Sequence, residues 1–456
     1  MNQTKIPVIS DVPVAVKKAR IPPEATEHGV PRVQLPDRAR PEPRPANIDS
    51  LVGPEHRVRL VWAYVEQLDL RGWYAQIKAV EGHAGRSPIA PEILLALWLY
   101  ATIEAIGSAR ALERLCEEHS AYRWLCGGVS VNYHTLASFR SESGAMLDEL
   151  LTTSVATLLD VDAVKLTRVA QDGMRVRASA GSASFRRRGR LEGFLEQAEQ
   201  QVQQLKNEIE NDPLATSRRE QAARERAAHE RKLKIDAALR RLPEMERAKE
   251  RQAARGKKKV NEARSSTTDA EATIMKMPNS GYNPAYNAQL CTETASQIIV
   301  GVDVISSGVD HGQASAMLRQ LAHRYKRTPS EYLVDGGYVS ASEIDAVAAA
   351  KSVIYAPLPA PGNDKLAPCK ARQQDSEAVA EWRQRMQTDQ AKDIYKERAS
   401  TAECVNALAR ERGLTRLRVR GLKKAKSVLL LFALAHNCLR VAALLPAMLN
   451  ISPSTS

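Results

Sequence analysis

Three acidic positions carry the chemistry this chain could perform. Asp172-Gly173 and Asp335-Gly336-Gly337 each set an aspartate within or at the end of an apolar run. A carboxylate without a partner is costly in such a strand, and the glycine that follows frees the turn. A lone Asp-Gly is an ordinary turn; two of them at the ends of apolar strands carry more weight. Hard oxygen donors suit Mg²⁺, which takes few carboxylates and fills its shell with phosphate and water. Two such ions about 4 Å apart supply what phosphodiester cleavage needs near neutral pH, an activated water or 3′-hydroxyl on one side and a neutralised leaving oxygen on the other. A third carboxylate is expected from a late helix. Between Ala399 and Arg412 the candidate is Glu403, with Glu397 and Glu411 equally acidic neighbours. Arg410 falls about 20° from Glu403 around a 3.6-residue helix, and Asn406 flanks the same face.

The elements that must position these groups follow from the spacing of apolar residues. Val164 to Ala178 reads as a strand with Asp172 in its middle. Tyr286 to Cys291 and Ile298 to Ile305 read as two short strands, His311 to Arg324 as an amphipathic helix, Glu331 to Tyr338 as a strand ending on Asp335, and Val353 to Ala356 as a further strand. A polar segment, 361–385, precedes helices that run to the end of the ordered chain. Residues 190–258 differ in kind. They are almost free of glycine and aromatics, with one apolar stripe from Leu195 to Ile209 and a second from Leu233 to Leu242. Asn211-Asp212-Pro213 breaks the two stretches apart, which predicts an antiparallel helical hairpin with a basic exit from Arg255 to Lys259. In order this is the outline of an α/β fold, a ribonuclease-H-like mixed-sheet core with an inserted helical hairpin after its first strand.

Ahead of that core, residues 49–160 show helical periodicity, in Ile93 to Leu99 and again in Leu112, Leu115 and Cys116, with Pro91 suited to a first helical turn. Gly127-Gly128 closes one helix, and Tyr133-His134-Thr135-Leu136-Ala137-Ser138-Phe139-Arg140 opens another. That outline is a helix-turn-helix in an all-α DNA-binding domain. Its second helix would offer Tyr133, His134, Thr135, Ser138 and Arg140 to DNA. Residues 1–48, rich in Pro and Arg, read as a disordered arm, 161–445 as the catalytic domain with its insertion at 190–258, and 446–456 as a tail.

Bulk properties agree with a polyanionic partner. The formal charge is +13, with the basic residues spread along most of the chain. None of the six cysteines forms a C-x-x-C pair, which argues against a zinc site or disulfide framework and fits a reducing cytoplasm. The apolar stretch from Val428 to Ile451 holds His436, Asn437, Arg440 and Pro446, and reads as a buried helix rather than a membrane span.

Taken together, "YHTLASFR", "QDGMRVRASAG", "GYNPAYNAQL", "YLVDGGY" and "YKERASTAECVNALARERGLTRLRVRGL", in this order, make the chain resemble bacterial insertion-sequence transposases of the DDE type, in the branch whose elements are numbered eleven-eighty-two. The resemblance runs from about residue 50 to 445. It implies Asp172, Asp335 and Glu403 as the three catalytic metal ligands, two Mg²⁺ ions (with Mn²⁺ as the alternative), and double-stranded DNA, at element ends and target, as the partner of a homo-oligomer without membrane attachment. Tyr395, Arg398, Glu403 and Arg410 match the family's signature around the last ligand, with Arg398 and Arg410 as DNA-contacting groups. Arg410 stands where relatives have lysine, and Glu293 where they often have aspartate. Relatives leave three residues between the arginine and the glutamate, whereas here there are four. Five positions along an α-helix turn the two side chains about 140° apart, so an unbroken α-helix does not bring Arg398 to Glu403. Tyr282, Tyr286, Asn287 and Gln289 are candidates for stacking on or bonding to single-stranded DNA, against a packed strand with polar edges; His436-Asn437 reads as a structural pair. The alternatives are a catalytically inactive DNA-binding relative, another ribonuclease-H-like nuclease, and a coiled-coil scaffold, the last of which leaves the Asp-Gly strands without a purpose.

Overall fold

A computed structural model describes residues 29, 32, 36–37, 47–82, 85–211, 218–254, 262–278, 281–359 and 372–449. Most of the 1–48 arm, the Asp212-Pro213 break, the basic exit 255–259 and the first part of the polar segment lie outside them. Arg32 and Asp37, read as part of an unstructured arm, instead bond through their backbone N–H groups to Ala79 and Gly127 carbonyls.

The N-terminal unit is helical: α1 (Arg57–Glu66), α2 (Arg71–Tyr74), α3 (Pro91–Ile103), α4 (Ala109–Glu118), α5 (Ser120–Cys126), α6 (Tyr133–Glu142) and α7 (Gly144–Asp160). Local chemistry sets its boundaries. Pro91 opens α3. Gly127 ends α5 in the left-handed region (φ 56°), and Asn132 caps α6 by accepting from the Thr135 N–H at 2.9 Å.

The sheet is mixed. It holds β1 (Arg168–Arg177), β4 (Thr273–Lys276), β5 (Tyr282–Glu293), β6 (Ile299–Ile305), β7 (Glu331–Leu333) and β8 (Val353–Tyr355), while β2 (Phe185–Arg186) and β3 (Ser265–Ser266) form a separate two-stranded pair. β5 pairs antiparallel with β1, β6 and β4, and β1 and β8 flank β7 in parallel. The sequence reading missed β2, β3 and β4, which are short, and it began β5 four residues late.

Two long helices leave the sheet between β2 and β3: α8 (Arg188–Asn211) and α9 (Arg218–Ala254). They run antiparallel, as the pairing of Arg188 with Glu246, Glu199 with Lys232 and Gln201 with Arg231 requires. Their packing differs in detail from the expected stripes. Leu191, Ala238, Leu242 and Ala263 form a small core of their own, and Leu233 is 60 % exposed.

The remaining helices cover the sheet: α10 (Gln313–Tyr325), α11 (Ala341–Ala349), α12 (Glu377–Arg385), α13 (Asp389–Arg398), α14 (Cys404–Glu411) and α15 (Leu422–Leu444). The last part of the segment read as polar, 361–385, is helix α12. α15 is long and apolar enough to cross a membrane by composition, yet it packs against α3, α6, α7 and β6. Its Asn437 accepts from the Ile299 N–H and donates to the Ile299 carbonyl, closing the outer edge of β6 as another strand would. Through α15 the helical unit and the sheet share one continuous apolar core, so the boundary expected near residue 160 is not a break in packing.

Candidate active site

Asp172 lies mid-β1, where β7 has just ended. β1 and β7 are paired as far as Ala170 and Leu333. Carried two residues past that last pair, the register sets Asp335 opposite Asp172, and Asp335 is near enough for its charge to act on Asp172. Asp335 accepts from the Gly337 N–H at 2.8 Å, which fixes the turn. Asp172 accepts from the Gly173 N–H at 2.9 Å and, through Oδ2, from Asn406 Nδ2 at 3.0 Å. Burial pushes the Asp172 carboxyl above its ordinary range, and the nearby Asp335 charge adds to the rise. The Arg398 guanidinium, the Gly173 N–H and Asn406 pull it back.

Glu403 arrives by a local irregularity. Between α13 and α14 the chain makes a π-helical turn, Ala399–Glu403. The wider turn absorbs the extra residue of the Arg398-to-Glu403 spacing. Arg398 NH1 donates to Glu403 Oε1 at 2.6 Å, while NH2 stands 3.3 Å from Asp172 Oδ2. The α-helical expectation that Arg398 faces away from Glu403 is thus corrected. Arg398 is only 9 % exposed, its Nε without a partner; it grips two carboxylates rather than presenting itself to DNA. Arg168 holds α13 in place by bonding both Glu331 of β7 and Glu397. That engages Glu397 elsewhere and leaves Glu403 as the late-helix carboxylate that shares a guanidinium with Asp172. Gln297 Nε2 reaches Thr401 of the π turn at 3.3 Å, and the Gln297 carbonyl is held by His436 Nε2 at 2.8 Å. Burial lowers His436 to about 4, so the ring is neutral at pH 7. His436 and Asn437 are structural, as expected.

Tyr395 completes this face. Its phenol is raised by burial and feels the charges of Arg398, Asp335, Glu403 and Asp172. Arg410 is exposed, and seven positions of α-helix set it about 20° around from Glu403.

The donors here suit a hard divalent cation in kind, every one being an oxygen. Asn406, 2 % exposed, leaves its Oδ1 without a partner next to Asp172. Among the described residues no three His, Cys, Asp or Glu side chains already stand close enough to grip one ion. Arg398 supplies the positive charge between Asp172 and Glu403.

Other expected site residues are placed differently. Gly173 frees no turn: it sits within β1. A Cβ there would come 2.4 Å from Asp310 Oδ1, so glycine is needed for close approach. Of the four candidates in "GYNPAYNAQL", Tyr282 is open, at 68 % exposure, whereas Tyr286, Asn287 and Gln289 are buried. Tyr286 donates to Asp269 at 2.7 Å. Glu293 accepts from the Ser296 N–H and hydroxyl and shapes the β5–β6 turn. On α6, His134 and Ser138 are exposed and Tyr133 and Thr135 half-buried. Arg140 is buried over the Trp98 ring, 4.4 Å from its centroid, and donates to the Gly107 carbonyl at 2.6 Å. Burial lowers it to about 10. It braces the helical unit and is withdrawn as a DNA contact.

Two family models match the chain. One, described as a transposase domain, matches residues 46–142 and spans α1 to α6. The other, described as a transposase DDE domain, matches residues 364–442, which include Arg398, Glu403 and Asn406. No curated protein and no solved structure matches significantly.

Proposed function

We propose that this chain, for which both family matches support an insertion-sequence transposase, cuts and joins DNA strands at a site built from Asp172, Asp335 and Glu403. The observation that carries the reading is the juxtaposition itself. Two aspartates stand side by side where β7 leaves β1, and a π turn brings a glutamate to the arginine that already holds the first of them. The element order is the one expected of a ribonuclease-H-like core, with the helical unit ahead of it as the DNA-binding part. The family branch numbered eleven-eighty-two is the most economical placement of the motifs.

Each residue then has a task. Asp172, Asp335 and Glu403 would hold divalent ions, with Asn406 Oδ1 available beside Asp172. When bound, Mg²⁺ or Mn²⁺ supplies an activated oxygen nucleophile and neutralises the leaving oxygen. Arg398 opposes the rise of the Asp172 carboxyl and orients both Asp172 and Glu403. Arg410, exposed on the Glu403 side, offers a fork for a DNA phosphate. His134 and Ser138 lie on the open face of α6, with Thr135 and Tyr133 at its margin, where a recognition helix meets base edges. The reading places the protein in the bacterial cytoplasm, on DNA.

The test uses the purified full chain and the DNA that flanks its gene. Asp172→Ala, Asp335→Ala and Glu403→Ala should each abolish Mg²⁺-dependent strand cleavage while DNA binding, read by mobility shift, survives. Near wild-type cleavage by any one of them removes that residue from the site.

A further inference from the structure

Behind β1 a second carboxylate reaches the same place. Asp310 lies in the loop between β6 and α10 and comes up to β1 from the face opposite Asp172, over Gly173. Its Oδ1 accepts from Asn287 Nδ2 at 2.7 Å and from Gln289 Nε2 at 2.8 Å. Those amides are held in turn. Gln289 Oε1 accepts from Gln171 at 2.7 Å and from the Tyr338 hydroxyl at 2.5 Å, and Gln171 Oε1 accepts from the Tyr332 hydroxyl at 2.7 Å. Five buried polar side chains therefore lead to one oxygen of Asp310. A polar network of this extent inside a sheet is costly unless every member is satisfied, and its effect here is to fix one carboxylate.

The other oxygen is left for something else. Arg175 approaches Asp310 Oδ2 only to 4.0 Å and spends its NH2 on the Gly308 carbonyl at 2.8 Å. On its far side Oδ2 faces the Asp335 turn. From the point where a side chain on Gly337 would begin, Asp335 Oδ1 is 3.1 Å away and Asp310 Oδ2 is 3.9 Å away. Gly337 thus opens the space between the two carboxylates, and Gly173 makes room for Asp310 itself. Asp310, Asp172 and Asp335 are all near enough to the buried Tyr338 to act on its phenol, and of the cations Arg175 stands by Asp310 while Arg398 serves Asp172 and Glu403.

We propose that Asp310 is a fourth carboxylate of the active site, which with Asp335 takes a divalent cation on the Gly337 side of β1. The inference rests on the reading of this site as a metal site. Asp310 is anchored for that task by Asn287 and Gln289, which explains why the two buried amides of β5 are polar at all. The exposed Gly336-Gly337 turn is where Asp335 would close toward Asp310 while Oδ1 of Asp310 stays held.

The full chain without DNA is loaded with Fe²⁺ in place of Mg²⁺ and treated with ascorbate and peroxide, so that the backbone is cut next to bound metal, and the fragments are mapped by mass spectrometry. Cuts at 310 as well as at 172 and 335 are expected. In parallel, Asp310→Asn keeps the acceptor for both amides and removes the charge; its affinity for Mn²⁺ by calorimetry should fall at least tenfold. Cuts at 172, 335 or 403 without 310 overturn the role of Asp310 and leave the metal site standing. So does Mn²⁺ affinity within twofold of wild type in an Asp310→Asn protein that melts normally. If that variant does not fold, the cutting pattern of the wild-type chain alone decides. No cutting anywhere removes the metal site and the inference with it.

Discussion

Arg398 touches Glu403 across a π-helical turn, NH1 to Oε1 at 2.6 Å, and the same guanidinium stands 3.3 Å from Asp172. One buried cation therefore serves two carboxylates from different elements. Arg398→Met keeps the unbranched stem and removes the guanidinium and its charge. It should destabilise the metal-free protein by about 1–3 kcal/mol, because Asp172, largely buried, loses a charged partner; the Glu403 half of the pair is more exposed and contributes less. Saturating Mg²⁺ should return much of the loss. Urea midpoints with and without Mg²⁺ measure both, and an equal loss in the two conditions contradicts the shared-cation role.

Asp172 gives a pH dependence of defined sign. Its carboxyl is raised in the folded chain, chiefly by burial, whereas in the unfolded chain it titrates near about 3.9. Between those two values the folded state binds more protons than the unfolded state, so this group lowers stability as pH rises through the window. Asp172→Asn should therefore melt above wild type at pH 7 without metal, with the gap closing as pH approaches about 4. Added Mg²⁺ should stabilise wild type and not the variant. A variant that melts below wild type at pH 7 and stays there at low pH would show that Asp172 is held by its partners more strongly than burial opposes it.

What the sequence made legible followed from pattern. Asp172 stands inside one apolar strand and Asp335 just past the end of another, so both strands could be read directly. Glu403 needed the motif around it, since Glu397 and Glu411 are chemically equal until Arg168 is seen to engage Glu397. The π turn was invisible because nothing in Ala399 to Glu403 departs from helical composition; only the five-residue offset hinted at it. For Asn287 and Gln289 the sequence leaves DNA contact and a packed strand equally open, because β5 is buried on both faces and a strand of that kind has no alternation to show which side a polar residue serves. Asp310 was missed for a similar reason. It stands in a short loop without period, and its meaning comes from Gly173, a residue far away in the chain whose missing side chain makes the room.

The helical unit offers a separation between support and recognition. Arg140, over Trp98 and bonded to Gly107, should behave as a core residue: Arg140→Ala should lower the melting temperature by several degrees, the result of about 1–3 kcal/mol lost with a buried charge-assisted bond. His134→Ala with Ser138→Ala, both exposed, should leave melting unchanged and weaken binding to element-end DNA. Mobility shifts on the end sequence and on an unrelated duplex compare the two. If the double variant binds both DNAs as wild type does, α6 is not the recognition helix.

The hairpin provides the last expectation. α8 and α9 leave the sheet through β2 and β3, which are already paired, Phe185 with Ser266 and Arg186 with Ser265. The two ends of the insertion are thus neighbours before the hairpin forms, so a short chain can join them at little entropic cost. The hairpin also has its own small core around Leu191, Ala238 and Leu242, and its side-chain tie to the sheet includes the Arg241 bond to Ser306. Replacing residues 190–258 by a short Gly/Ser linker should leave the sheet folded and its Mg²⁺-dependent stabilisation intact. Transposition should fall, since two long helices dense in Arg and Lys are lost as a brace on DNA or a contact between subunits. Circular dichroism and thermal melting test the first half and an excision assay the second. Loss of a cooperative transition in the shortened chain would mean that α8 and α9 are part of what holds the sheet together.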